Sequence, residues 1–464
     1  STPRLLASLQ PLKGGIMTRG YATEEWPMLN VACQKLGIDP ELAYVPTAYP
    51  AENESDLKKL EEAQSNLASI QDLDVDELKE LMKEYVNDDL NLVVTPESGD
   101  DDDDFYGGAY SYQPAAPDRL ELIEKFARNY LNYEVSYNAA QALIAPEDQA
   151  RTIGFCEELR QAFRTRIENS DWMGELTKAN VLEKLNAMEY QVGAPDEWFE
   201  EGLPDVSQCQ STLEDLLAIR KADYNVKKRM MGMATSRARF HALIAEEDVS
   251  LADVNACYAP NFNTFFVFPA WMLPPLYDAN NNSALNYATI TVFGHEITHG
   301  FDNEGSRFDK NGDLGYLWGS ATDEMEYNRR AQKLVELYSS LEVADGIYND
   351  GAYTLAENIA DLGGAELAYT AYNTYLAKQG LTGDNLTTQR QRFFLGYANL
   401  HKAKYSDYYA KMVTTSDDPE VKDEHSLGKE RVNGIVINVD DWYDLFNVTS
   451  GSLFLAPEDR IHIW

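Results

Sequence analysis

Two imidazoles four positions apart, with a carboxylate beside the first, make Gly294-His295-Glu296-Ile297-Thr298-His299 the most constraining segment of this chain. A helix puts residues i and i+4 on one face, at about the spacing two rings need to grip one metal ion. The segment is therefore expected to be helical and to sit in a cleft. Glu296 then stands where a general base acts on a metal-activated water.

Length and charge narrow the setting. At 464 residues the chain predicts more than one lobe, each large enough for its own core. Its 39 basic against 77 acidic residues give a net charge of -38, which repels nucleic-acid phosphates and anionic membrane surfaces, so nucleic acid is excluded as a partner. No apolar run approaches the roughly 20 residues of a membrane span. Cys33, Cys156, Cys209 and Cys257 lack C-x-x-C pairing, which argues against a zinc ribbon or a disulfide framework. Nothing in the sequence sets the oligomeric state.

Periodicity predicts a mainly α protein. Short amphipathic helices are expected over 52–91, followed by an acidic loop over 97–108 that includes Asp100 to Asp104 and reads as a solvated surface insert. Long helices follow from Pro117 to about Ala145, Pro146 to Ser170, Gly174 to Met188 and Ser211 to Ala245. The texture changes at Val254. Asn263 to Phe268 reads as an edge strand ending at Pro269, and a helix from about Ala284 carries the histidines. Thr322 to Leu341, Leu355 to Lys378 and Thr388 to Met412 read as helices, and Gly434 to Asn438 as a short strand.

Two histidines need a further ligand. The extended motif H-E-x-x-H-x-x-G-x-x-H fails at Asp302 and Gly305, and no inverted H-x-x-E-H occurs. A carboxylate from a second helix remains, and Glu357 in Leu355-Ala356-Glu357-Asn358-Ile359-Ala360-Asp361-Leu362-Gly363-Gly364 is the candidate. Glu357 and Asp361 share a helix face, so one carboxylate can ligate while the other hydrogen-bonds a ligating histidine. Gly363-Gly364 allows another element to pack closely.

These segments, taken with Val254-Asn255-Ala256, Phe268-Pro269-Ala270, Phe308-Asp309-Lys310-Asn311-Gly312-Asp313-Leu314, His425-Ser426, Arg431-Val432-Asn433-Gly434 and the terminal Trp464, resemble the neprilysin-like zinc metallopeptidases. The resemblance runs in order from about Val254 to the end and more weakly over 171–193. Before that it extends only to helical character.

The resemblance implies one catalytic zinc ion held by His295, His299 and Glu357, with Glu296 as base. Asp361 would orient a histidine and His425 would hydrogen-bond the oxyanion. Asn255, Ala256 and Arg431 would hold substrate on the leaving-group side. The implied fold is a thermolysin-like catalytic lobe over 171–464, with its motif core over 254–434 and a small β element. A helical capping lobe over 1–170 would complete it, though without the family's usual N-terminal third. The implied activity is zinc-dependent endopeptidase action on oligopeptides, in a bacterial extracytoplasmic setting. The second reading is a peptide-binding relative with little turnover. In the pocket for the residue after the scissile bond the family's tryptophan is replaced by His401, and Met272 and Leu276 would complete its lining.

Overall fold

The computed structural model describes residues 119–464 except 232, 234, 247–248, 279–282 and 420. The expected helices over 52–91 and the aspartate run lie outside the described residues. Within them the protein is predominantly helical: α1 Arg119–Leu143, α2 Pro146–Asn169, α3 Glu175–Ala187, α4 Thr212–Met230, α5 Thr235–Glu246, α6 Ser283–Thr289, α7 Thr291–His299, α8 Ala321–Ser339, α9 Leu355–Lys378, α10 Gly383–Leu400, α11 Asp407–Thr415, α12 Gly428–Val436 and α13 Asp440–Phe446. Boundaries follow local chemistry. Pro146 occupies the first turn of α2, and the hydroxyl oxygens of Ser211, Ser320 and Ser406 accept backbone N–H bonds at the starts of α4, α8 and α11.

The described residues form two compact units. One takes residues up to Asn138 with Glu197–Met233 and His241–Ser250. Inside it the His241 ring stacks on Phe199 with centroids 3.8 Å apart, and its Nδ1 lies 3.0 Å from the Tyr133 hydroxyl. Arg229 pairs with Glu197 and Glu201. The other unit, Ala139–Asp196, Ala234–Phe240 and Leu251–Trp464, contains the histidine motif.

Its β element is a three-stranded sheet in the order β1 (Glu189–Val192), β3 (Thr264–Val267), β2 (Ala256–Ala259). β1 runs parallel to β3 with Glu189 opposite Thr264, and β2 runs antiparallel with Ala256 opposite Val267. The segment expected as an edge strand is thus the central one. Thr264, Phe265, Phe266 and Val267 are all buried, and Pro269 lies beyond the last ladder bond, where its missing N–H costs nothing. A small hairpin, β4 (Glu342–Ala344) with β5 (Ile347–Tyr348), follows α8.

Two further expectations change. The Gly434 to Asn438 run closes helix α12 instead of forming a strand, because Ile435 and Val436 enter the core and Gly434 lies against the Tyr338 ring. Tertiary burial there overrides the preference of β-branched residues for strands. The single helix expected over Thr388 to Met412 is two, α10 and α11, with α10 stopping at His401.

The packing of α7 on α9 governs the unit. Phe293, Ile297, Ile359 and Leu362 are at most 1% exposed, each contributing about 1.5–3 kcal/mol of apolar burial. Glycines set the separation. A Cβ on Gly294 would come within 2.9 Å of Gly364 Cα, and one on Gly364 would strike the Thr291 carbonyl oxygen. Gly364→Val is therefore expected to cost more than about 3 kcal/mol in urea unfolding and to lower metal retention together with stability. Gly154→Ala, in the exposed and open middle of α2, should gain about 0.5–1 kcal/mol. Equal midpoints for the two variants would contradict this account of the helix pair.

Candidate metal centre

The helical period of α7 brings His295 and His299 together as expected, with ring centroids 4.5 Å apart and the two Nε2 atoms 2.9 Å apart. Each ring is held from behind. His295 Nδ1 lies 2.8 Å from Asp361 Oδ1, and His299 Nδ1 lies 2.6 Å from Asp302 Oδ2. A carboxylate at Nδ1 fixes the proton there, so both Nε2 atoms present lone pairs toward the same point.

Glu357, in the first turn of α9, faces that point. Its Oε2 lies 3.1 Å from Nε2 of both His295 and His425, and its Oε1 lies 3.5 Å from Nε2 of His299. None of these contacts has hydrogen-bond direction, so among the described residues Oε2 is buried without a hydrogen bond. Two converging imidazole lone pairs beside an unsatisfied carboxylate oxygen repel one another unless a cation lies among them, and N and O donors of this kind suit zinc. His295, Glu357 and His425 offer ligand atoms all within 4.8 Å of one another, which adds His425 to the cluster around His295, His299 and Glu357.

The electrostatics follow from this crowding. Burial raises the Glu357 carboxyl, but the surrounding imidazoles of His299, His295 and His425 overcome it and hold the group well below the usual carboxylate range. Burial likewise opposes protonation of His425, yet its hydrogen bond to Asp423 and the adjacent Glu357 carboxylate charge lift it to about 10. Glu296, buried in the same wall, is raised chiefly by desolvation, with the histidines pulling the other way. A carboxylate with elevated proton affinity beside a metal site is suited to carry protons.

Arg431 donates from Nε and Nη2 to both oxygens of Asp361, at 2.8 and 2.7 Å. This fork holds the Asp361 carboxyl low and turns it toward His295. A cleft of about 290 Å³ opens onto the site, with Asn255, Ala256, His295, Glu296, His425 and Arg431 in its wall. Met272 and Leu276 do not line it; Trp271, Val292, Leu400 and His401 do. Met272 is buried, and its Cε lies beside Gly193.

Several supporting residues carry no obvious sequence signal. Asp302 stands three residues past the second histidine. Besides holding His299, it accepts the backbone N–H groups of Glu304 and Gly305 at 2.8 and 2.7 Å. Buried Lys184 donates to the carbonyls of Gly305 and Phe308, both at 2.7 Å, and so ties that turn to α3; burial draws its ammonium down to about 7. Asn349, Thr354, Asn358 and Ser426 form a buried hydrogen-bonded set that joins the start of α9 to the His425 loop. Asp302→Ala is expected to weaken zinc binding roughly 10- to 100-fold in a chelator competition while the fold persists by circular dichroism. Unchanged zinc affinity would mean that the turn, not Asp302, sets the His299 ring.

Residues 255–463 and, separately, residues 52–195 match peptidase family M13. The second match extends over residues 52–170, where sequence reading found only helical character. The chain is 34% identical over 332 residues to Neprilysin-1 of Caenorhabditis elegans, covering 68% of this chain and 41% of that protein. To human neprilysin it is 31% identical over 339 residues, covering 70% and 43%. Among solved structures it resembles the Mycobacterium tuberculosis zinc metalloprotease Zmp1 in complex with an inhibitor, with TM-score 0.58, 30% identity and coverage of 75% of this chain and 51% of that one. The chain thus spans about two fifths of these curated relatives and half of that structure. With both matched regions in order, the histidine pair and facing glutamate on paired helices, and this likeness in fold, the chain belongs to peptidase family M13.

Proposed function

We propose that this chain is a zinc-dependent endopeptidase acting on oligopeptides. The observation that carries the reading is the convergence of His295 Nε2, His299 Nε2 and the unsatisfied Glu357 carboxylate in a cleft that also contains Glu296. In this reading His295, His299 and Glu357 hold the metal. A bound zinc ion supplies a Lewis acid that lowers the pKa of water to about 7 and polarises a carbonyl.

The remaining steps fall to the chain's own side chains. Glu296 takes a proton from the attacking water and passes it to the leaving amine, a task its desolvated carboxylate suits. His425, on a loop and with a side chain 44% exposed, keeps a proton on the strength of Asp423 and Glu357 and donates it in a hydrogen bond to the developing oxyanion. Arg431 donates one N–H each from Nε and Nη2 to Asp361, which leaves N–H groups on Nη1 and Nη2 for a substrate carbonyl. Ala256 begins the edge strand β2 and Asn255 immediately precedes it, where an extended peptide backbone has the geometry of an added strand.

An extracytoplasmic location agrees with the neprilysin-type relatives, and among the described residues no helix is long and apolar enough to cross a membrane. The test is hydrolysis of a quenched fluorescent peptide by zinc-loaded protein, with and without a chelator. Cleavage is expected only with metal, and Glu296→Gln should retain zinc while turnover falls by roughly 10²- to 10⁴-fold. Tight peptide binding without cleavage by the zinc-loaded wild type would instead favour a peptide-binding role.

A further inference from the structure

The end of α10 places an unusual group in the cleft. His401 is the residue at which that helix stops, and its backbone is wedged there, because a Cβ on Gly428 would collide with the His401 carbonyl oxygen. Its ring lies edge-on to Tyr397, with centroids 4.8 Å apart, and lines the cleft together with Trp271, Val292 and Leu400. Among the described residues, neither ring nitrogen of His401 has a hydrogen-bond partner, unlike those of His295, His299 and His425, which are engaged with carboxylates. Burial, reinforced by the neighbouring Arg431 charge, pushes its pKa down to about 3, so the ring is neutral and offers one donor and one acceptor.

An apolar wall that carries one unpartnered neutral imidazole selects for a particular kind of side chain. A purely hydrocarbon group entering the cleft displaces water from the imidazole and leaves it unsatisfied. A flat apolar body with a hydroxyl at its far end buries against Trp271, Val292 and Leu400 and also satisfies the ring. We infer that His401 makes this a subsite for a tyrosine side chain on the leaving-amine side of the scissile bond, in preference to phenylalanine or leucine. The inference rests on the peptidase reading for the direction of the peptide, in which Arg431, whose charge lies near His401, holds substrate on the leaving-group side. Discrimination of this kind arises because a site with a polar group penalises the analogue that leaves it unpaired.

The test uses two peptides that differ only in Tyr or Phe immediately after the scissile bond. Zinc-loaded wild type should favour the tyrosine peptide in kcat/KM by roughly 3- to 10-fold, about the worth of one neutral hydrogen bond. His401→Phe should bring the ratio to one or below, and His401→Gln, which keeps a donor and an acceptor, should retain part of it. The same pair is titrated calorimetrically into zinc-loaded Glu296→Gln protein with His401 intact, where the tyrosine peptide should bind tighter by a similar factor. This arm needs neither turnover nor a change at His401. If wild type cleaves neither peptide but the Glu296→Gln protein still prefers tyrosine, the peptidase reading fails and the subsite stands. Equal or phenylalanine-favouring affinities there, absence of binding to either peptide, or a tyrosine preference that survives in His401→Phe, would overturn the subsite.

Discussion

The contact between α7 and α9 is the constraint on which the site depends. Two imidazoles on one helix make half a metal site; the other half must arrive on a second helix close enough for a short carboxylate side chain to reach. Gly294, Gly363 and Gly364 remove the side chains that would hold the two helices apart, and Phe293, Ile297, Ile359 and Leu362 seal the pair with apolar burial. Glu357 and Asp361, one turn apart on α9, then meet the His295 ring from two sides, one at Nε2 and one at Nδ1.

Around that contact, charge is layered. Arg431 neutralises Asp361, Asp361 and Asp302 orient the imidazoles, and the imidazoles in turn face Glu357. A buried array of this kind is costly unless every member has a partner, and the member without one is Glu357 Oε2, at the place where the histidine nitrogens converge. The same reasoning separates His401 from the other cleft histidines. Among the described residues its nitrogens meet no carboxylate, and its ring instead lines the cleft beside Tyr397.

Local rules reached far in some places and stopped short in others. Helix α9 has the bounds that its apolar period predicts, and α2, α3 and α8 begin within a residue or two of their expected proline, glycine or threonine starts. The rules failed where long-range burial decides. Ile435 and Val436 look like strand residues by composition, yet they are core residues of α12, and Thr264 to Val267 becomes a central strand because β1 and β2 cover both of its edges. The break of α10 at His401 has no proline to announce it. Supporting residues such as Asp302, Lys184 and Asn349 were illegible because a lone polar residue says nothing about which distant backbone or ring it will meet.

By itself the sequence determined that two histidines share a helix face with a glutamate beside the first, that a second helix carries two carboxylates one turn apart, and that the chain is mainly helical. These are consequences of the 3.6-residue period, which is local. Only the tertiary structure decided which carboxylate oxygen faces which nitrogen, that Arg431 is tied to Asp361, that His425 joins the cluster, and that His401 lines the cleft with no hydrogen-bond partner for its ring among the described residues. Those facts depend on contacts between residues tens of positions apart, and close packing of the core fixes such contacts where periodicity cannot.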